Sequence, residues 1–184
     1  MKEQDFIKAN LGEVVYMPYK RFDKNLPGLY KEDYRNAGFD VFANLYDPEV
    51  DEEYPPAPIR LAPGEVKRIP LNIATKIPFY GVGLLFQRSS TYSKWKVKLT
   101  NGVGVIDSLF CGDGDQWLAE FKNESDKEVV IEHGDKICQA VFLPLLPVVP
   151  IEVDELGKEN RGGYGTSFDN ARELGGCHGE KKEE

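Results

Sequence analysis

Short apolar runs alternate along the chain with polar turns that contain glycine, proline, asparagine and aspartate. The apolar runs are rich in valine, isoleucine and phenylalanine, at the spacing expected of an all-β sandwich or barrel. The predicted strands cover residues 13–19, 37–43, 59–62, 66–77, 82–87, 96–100, 117–122, 129–132 and 137–143. One short helix is predicted at residues 91–94, and the sequence contains no repeat of fixed period. The pattern therefore predicts an all-β fold with at most one short helix.

Two internal segments and the C-terminal region depart from this pattern. Residues 44–58 are acidic and contain four prolines, which a central strand could not accept, so they are predicted to form a surface insertion. Residues 111–116 have the composition of a turn. After Phe168 the chain loses apolar residues and ends in a charged run. We expect one β domain at residues 1–160, followed by a flexible segment and a disordered tail at 161–184.

Length and composition are those of a single soluble domain. The chain has 184 residues, of which 41% are hydrophobic and 29% charged. No stretch approaches the roughly 20 apolar residues of a membrane helix, and the N-terminus lacks the apolar core of a signal peptide. These features predict a cytoplasmic protein without a membrane partner. The three cysteines are far apart, which predicts free thiols rather than disulfides or a zinc site.

The charge balance restricts the class of ligand. A net charge of −8 argues against a nucleic-acid partner, because such proteins usually carry a basic patch or stripe. It does not exclude a nucleotide. A triphosphate needs only a few arginine, serine, glutamine and backbone N–H donors, together with a metal ion.

Five short motifs, in a fixed order, contain the candidate chemistry. They are Ala-Gly-Phe-Asp at 37–40, Gln-Arg-Ser-Ser at 87–90, Asn-Gly-Val-Gly-Val-Ile-Asp-Ser at 101–108, Gly-Asp-Lys-Ile-Cys-Gln at 134–139 and Arg-Gly-Gly-Tyr-Gly-Thr-Ser at 161–167. Each motif also has an ordinary structural interpretation. Arg88 with its two serines suits phosphate oxygens, but the serines could equally cap a short helix. The glycines at 102 and 104 allow close approach of a flat ligand, but they also fit a β-hairpin whose Asp107 caps a turn.

Taken together, the five motifs resemble those of the trimeric dUTPases, over the chain from about Leu26 to Ser167. The resemblance implies a distorted jelly roll of the dUTPase type that assembles as a homotrimer with shared active sites. It also implies hydrolysis of dUTP to dUMP and pyrophosphate by attack of water on the α-phosphate. The implied cofactor is Mg²⁺, held by the substrate phosphates and water and not directly by protein side chains.

The resemblance also implies roles for individual residues. Asp107 orients and deprotonates the attacking water. The uracil is held by Asn101 and by the backbone of Gly104, Val105 and Ile106. Phe110 lies under the deoxyribose and leaves no room for a 2′-hydroxyl. The family usually has Ser-Asp-Tyr after the catalytic acid, whereas this chain has Ser-Leu-Phe, which keeps the ring and loses the phenol.

The remaining roles concern the phosphates. By resemblance, the phosphate oxygens are bound by Arg88, Ser89, Ser90 and Gln139. Tyr164 stacks on the uracil and Arg161 reaches the terminal phosphates, within a lid that closes over the substrate. The spacing between these two residues is shorter than the family's, and Thr-Ser-Phe replaces its usual Ser-Thr-Gly ending. Asp40 has a supporting role, pairing with an arginine or a metal-bound water.

Two other functions stay open at this point. A dCTP deaminase shares the fold, the Arg-Ser-Ser motif and the Ile-Asp turn, and its catalytic glutamate lies in a strand ending in asparagine, where this chain has Glu120. The structural interpretation of Glu120 is a solvent-facing strand residue beside a core-facing Phe121. The second alternative is a catalytically weak, nucleotide-binding regulator, which Leu109-Phe110 favours and the intact Asp107 disfavours. The two histidines, His133 and His178, have no evident partners.

Overall fold

Antiparallel strands account for nearly all of the regular structure in the computed structural model, which describes residues 15–51 and 54–158. The elements of this part of the chain are β1 (Tyr19–Lys20), β2 (Phe39–Phe42), β3 (Ile59–Leu61), β4 (Val66–Pro70), β5 (Ala74–Thr75), β6 (Gly81–Gln87), α1 (Ser89–Trp95), β7 (Val97–Leu99), β8 (Val103–Ile106), β9 (Leu118–Asn123), β10 (Val129–Ile131) and β11 (Lys136–Pro144). The predicted all-β fold with one short helix is confirmed.

The strands form two larger sheets and two strand pairs. One sheet has the order β2-β11-β6-β8 and the other the order β4-β9-β7, while β1 pairs with β5 and β3 with β10. Every pairing is antiparallel. In β9, for example, Ala119 and Phe121 are buried and Lys122 is exposed, so side chains alternate between the core and the surface.

Two predicted strands need correction, and one observed strand was not predicted. The single strand predicted at 66–77 is two strands, because β4 pairs with β9 whereas β5 pairs with β1. Between them lies Asn72, fully buried, whose side chain bonds to the backbone of Asp23 and Pro27. Only Tyr19 of the strand predicted at 13–19 lies in β1, and residues 13 and 14 are outside the described part. Strand β8 was missed because glycine alternates with valine there.

Close packing of an aromatic ring explains a glycine inside β6. A Cβ atom on Gly83 would lie 2.9 Å from both the Trp117 ring and the Ile77 side chain. Trp117 is buried with the aliphatic core residues of both sheets. Glycine at this position therefore allows the indole to pack directly on the strand that leads to Arg88.

A β-bulge in β11 connects that strand to the helix. The register between β11 and β2 shifts between Lys136 and Cys138, so Ile137 is the extra residue. The Ile137 carbonyl accepts hydrogen bonds from the Thr91 hydroxyl at 2.9 Å and from the Arg88 N–H at 3.5 Å. The bulge thus fixes the start of α1 against the sheet. Cys138, the residue after the bulge, is buried, and this burial raises the pKa of its thiol.

His133 fastens the predicted insertion to the domain, which corrects the expectation that it has no partner. Its Nδ1 accepts the Leu45 N–H at 3.1 Å, and its Nε2 therefore carries the proton and lies 2.9 Å from Asp23 Oδ2. The Tyr54 ring packs edge-on against the imidazole at 5.4 Å. The insertion contains neither helix nor strand in its described residues, 44–51 and 54–58.

The chain divides into two units, Met1–Pro147 and Val148–Glu184. Within the second unit, residues 148–158 form neither helix nor strand, and the predicted lid and tail at 161–184, with Arg161 and Tyr164, lie outside the described residues. Cys111 and Cys138 are free thiols as predicted, and Cys177 lies outside the described residues. The described helix is too short to cross a membrane.

Candidate active site

An ion pair fixes the arginine of the second motif. Arg88 follows β6 directly, and its Nε lies 2.8 Å from Asp40 Oδ1 on β2. The second oxygen of Asp40 lies 3.3 Å from Lys136 Nζ. Both carboxylate oxygens are therefore occupied. Arg88 Nη1 also donates to the Lys136 carbonyl at 3.4 Å, and Nη2 has no partner within the described residues, so this nitrogen can meet a further acceptor.

The two serines do not cap the helix. Helix α1 begins at Ser89, its N-cap is Arg88, and no side-chain capping bond is formed. Ser90 Oγ lies 3.5 Å from Arg88 Nη1, and both serines are exposed. The capping interpretation is therefore wrong. The Ser90 hydroxyl accepts from Arg88 and can still donate its proton to a ligand, and the Ser89 hydroxyl has no partner within the described residues.

A cationic cavity of about 360 Å³ opens beside these residues. It is lined by Arg88, Ser90, Lys94, Trp95, Gly134, Asp135 and Lys136. Three cations and one carboxylate line it, and Asp40 pairs with two of those cations from behind. The group therefore has a net charge of +1 (three minus two), which suits phosphate oxygens. Neither Lys94 nor Lys136 is among the predicted site residues. Lys136 lies within the fourth motif, but only the fold shows that both lysines face the Arg88 cavity.

Gln139 lies next to this cationic group. It is the cross-strand partner of Asp40 in the β2–β11 pair, so the two side chains are on the same face of the sheet. A Cβ atom on Gly38 would lie 3.3 Å from Gln139 Oε1. Glycine in the first motif therefore leaves space for this amide. The fold thus brings Asp40, Arg88 and Gln139 together.

Among the described strands, β8, the core of the third motif, lies at the edge of its sheet. It pairs with β6 on one side, whereas β7 pairs with β9, so the predicted hairpin is wrong. Gly104 lies opposite Leu85, and a Cβ atom on it would be 3.1 Å from the Leu85 Cβ. The open edge of Gly104, Val105 and Ile106 presents backbone N–H and C=O groups that can read the edge of a flat ring.

The turn before β8 carries Asn101. Gly102 has a φ of +70°, a left-handed conformation that favours glycine. The N–H of Gly102 donates to Leu99 O at 3.1 Å, and that of Val103 donates to Asn101 O at 2.7 Å. The side chain of Asn101 is exposed and makes no hydrogen bond within the described residues. Its amide can therefore donate and accept in contact with a ligand.

Asp107 follows β8 in an exposed loop. Its Oδ1 accepts the N–H groups of Leu109 at 2.8 Å and Phe110 at 3.2 Å, whereas Oδ2 has no partner within the described residues. One oxygen thus holds the loop, and the other is free to accept a proton from water. The fold also brings Phe110 directly beside this carboxylate.

Within one chain, the cationic group and Asp107 lie at opposite ends of the same strand pair. Phe86 is opposite Val103, whereas Gly83 is opposite Ile106. Arg88 therefore lies about six residues along β6 from the level of Asp107, a separation of roughly 20 Å. A single chain does not bring Arg88 and Asp107 together.

Glu120 lies outside both groups. Its Oε1 accepts the Thr100 hydroxyl at 2.8 Å, and its Oε2 lies 3.0 Å from Arg68 Nε. The Thr100 hydrogen bond, followed by the Arg68 interaction, lowers the pKa of the Glu120 carboxyl. A lowered pKa is unsuited to a general acid near neutral pH. The neighbouring Phe121 is buried in the core.

Comparisons with known proteins agree on one family. The family model described as dUTPase matches residues 54–167. The chain is 39% identical over 104 residues to the SPbeta prophage-derived deoxyuridine 5′-triphosphate nucleotidohydrolase YosS of Bacillus subtilis, covering 56% of this chain and 72% of that protein. It is 32% identical over 159 residues to the deoxyuridine 5′-triphosphate nucleotidohydrolase of Lactococcus lactis, covering 85% of this chain and 96% of that one.

Solved structures show the same fold. The dUTPase of Streptococcus mutans is 24% identical with a TM-score of 0.58, over 72% of this chain and 98% of that one. A mutant dUTPase of phage 80alpha is 23% identical with a TM-score of 0.66, over 83% of this chain and 98% of that one. At these identities the likeness establishes the architecture alone.

Proposed function

The chain belongs to the dUTPase family, and on that basis we propose that it hydrolyses dUTP to dUMP and pyrophosphate, which keeps uracil out of DNA and supplies dUMP. The single observation that best supports this function in the chain itself is the Asp107 loop. One carboxylate oxygen is anchored by two backbone N–H groups, and the other faces solvent. That arrangement suits a base that aims and deprotonates one water molecule.

In the proposed reaction, a water oxygen attacks the α-phosphorus in line with the departing pyrophosphate. Asp107 takes the proton of that water as the new P–O bond forms. The bond from the α-phosphorus to the bridging oxygen breaks, and pyrophosphate leaves with the electron pair. Arg88, Ser89, Ser90 and Gln139 hold phosphate oxygens, and Asp40 keeps Arg88 in place through their 2.8 Å contact.

The base and sugar are bound by the third motif. Asn101 and the open backbone edge of Gly104, Val105 and Ile106 hold uracil through complementary hydrogen bonds. A base with a different edge would leave polar groups unpaired, which is a strong basis for selectivity. The Phe110 ring lies under the deoxyribose. Tyr164 and Arg161 complete the site as a lid, which is supported by the family-model match extending to residue 167.

Mg²⁺ is proposed as the cofactor. The described residues contain no cluster of three or more histidine, cysteine or acidic side chains that could hold a metal ion, and the cavity beside Arg88 is cationic. A cationic cavity fits phosphate oxygens better than it fits a bare cation, so we propose that the metal ion arrives bound to the substrate phosphates. When bound, Mg²⁺ neutralises the triphosphate and stabilises the departing pyrophosphate.

We further propose a homotrimer with shared active sites. The roughly 20 Å between Arg88 and Asp107 in one chain supports a site in which the two residues come from different copies. A cytoplasmic location is proposed because the thiols of Cys111 and Cys138 are free, as is usual in a reducing compartment.

Mixing two inactive variants tests the sharing of sites. We expect Arg88→Ala and Asp107→Asn to be inactive alone. After co-refolding in equal amounts, about a quarter of the sites should combine an intact Arg88 from one copy with an intact Asp107 from another. The rate of pyrophosphate release should therefore recover to about a quarter of the wild-type rate. Mixtures that stay inactive, although native mass spectrometry shows oligomers containing both variants, would place both residues in the same chain.

The reaction itself is tested by assaying pyrophosphate and ammonia from dUTP, dTTP, dCTP and UTP, with and without Mg²⁺. Pyrophosphate from dUTP alone, dependent on Mg²⁺, is the expected result. Ammonia from dCTP would identify a deaminase. Binding of dUTP without turnover, in protein of verified fold, would identify a regulator.

A further inference from the structure

The turn that carries Asn101 is tied to the neighbouring strand β9 through Thr100. The Thr100 N–H donates to the Glu120 carbonyl at 2.9 Å, and the Thr100 hydroxyl donates to Glu120 Oε1 at 2.8 Å. One residue of β9 thus holds both the backbone and the side chain of Thr100, the residue next to Asn101.

Glu120 is itself held from the other side of β9. Arg68 is its cross-strand partner on β4, and Arg68 Nε lies 3.0 Å from Glu120 Oε2. The arginine side chain is 73% exposed and that of Glu120 37%, so this solvated ion pair contributes little by itself. The ion pair instead orients the Glu120 carboxylate, so that its other oxygen meets the Thr100 hydroxyl.

These residues surround a cavity of about 250 Å³, lined by Arg68, Thr100, Asn101, Leu118 and Glu120. Asn101 is the one amide in this lining, and it makes no hydrogen bond within the described residues. Both oxygens of Glu120 are engaged with protein groups. The carboxylate is therefore placed to hold the turn, whereas Asn101 is placed to meet a ligand.

We propose that Glu120 is a positioning residue for base recognition, which fixes the turn through Thr100 so that Asn101 presents its amide to uracil. The inference rests on the proposed function. A base contact is made equally in the ground state and in the transition state, so its loss raises KM and leaves kcat nearly unchanged. Asp107 is held by the N–H groups of its own loop, so the loss of Glu120 should leave the catalytic carboxylate in place and kcat nearly unchanged.

Three variants and one control test the proposal by steady-state pyrophosphate release. Glu120→Leu and Thr100→Val should each raise KM for dUTP about tenfold, with kcat changed less than about threefold. Glu120→Gln retains an acceptor oxygen and should stay within about threefold of wild type. The control is Glu128→Leu, which removes the carboxylate paired with Arg60 at 2.8 Å at the start of β10, and it should leave KM unchanged.

Combining the changes separates positioning from general destabilisation. The double variant Glu120→Leu/Thr100→Val should raise KM no more than Glu120→Leu alone, because both remove one connection. An unchanged KM in Glu120→Leu, with active wild-type enzyme, would refute the positioning role alone. A loss of kcat with unchanged KM would make Glu120 catalytic and also refute it.

Calorimetric binding of dUMP provides a readout that does not depend on turnover. We expect Glu120→Leu to bind dUMP about tenfold more weakly than wild type and than Glu128→Leu. A wild-type chain that binds dUMP but does not hydrolyse dUTP would refute the proposed function and leave the binding comparison intact. Equal dUMP affinities in all variants would refute the positioning role.

Discussion

Replacing Asp107 by asparagine changes one atom of the proposed base and preserves its loop. The remaining carbonyl oxygen of asparagine can still accept the N–H groups of Leu109 and Phe110, which Oδ1 of Asp107 accepts at 2.8 and 3.2 Å. The free oxygen becomes an amide NH₂, which cannot take a proton from water. The variant should therefore fold normally, with Phe110 in its usual place.

The size of the effect follows from the role of a general base. Such groups typically contribute about 10²–10⁴-fold to the rate, so the barrier should rise by about 3–5 kcal/mol and kcat should fall by that factor. The dissociation constant for dUTP should change only a few-fold, because the contacts of Arg88, Gln139 and Asn101 survive. Loss of a negative charge near the triphosphate acts in the direction of tighter binding.

The assay combines pyrophosphate release from dUTP with calorimetric binding of a non-hydrolysable deoxyuridine triphosphate analogue in the presence of Mg²⁺, because active variants would turn over dUTP itself. Asp126→Asn is the matched control, because it makes the same chemical change on the exposed turn between β9 and β10 and should leave both quantities unchanged. A large loss of affinity with unchanged kcat would show that Asp107 binds the substrate and is not the base.

Two further predictions concern the C-terminal region and the insertion. A chain ending at Glu159 should stay folded and oligomeric but lose efficient catalysis, whereas a chain ending at Phe168 should remain active. If size-exclusion chromatography shows that the shorter chain is monomeric or unfolded, the segment is structural and does not act as a lid. His133→Ala should lower the free energy of unfolding by about 3 kcal/mol in urea titration, because it leaves the buried Asp23 carboxylate without its 2.9 Å partner. Glu132→Ala is the exposed control, and a loss below about 0.5 kcal/mol would contradict a structural role for His133.

The sequence by itself determined the fold class and the candidate chemistry. Alternating apolar positions predict strands because side chains alternate between core and surface, as Phe121 and Lys122 do. Asp107 and Arg88 are predicted from short motifs, because a carboxylate or a guanidinium group within a motif can be recognised without knowing its neighbours in space. Local pattern failed where distant residues decide the pairing, as at Asn72, whose buried amide is satisfied by the chain at Asp23 and interrupts the predicted strand.

Only the tertiary structure decided which of these groups meet. Asp40 and Arg88 are far apart in sequence but 2.8 Å apart in space, because β11 lies between β2 and β6 in one sheet. Arg88 and Asp107 are close in sequence but lie at opposite ends of an antiparallel pair. Glu120 reaches the Asn101 turn because β9 pairs with β7, the strand that leads into this turn. Strand order and register depend on contacts among residues from the whole chain, and no local stretch of sequence contains them.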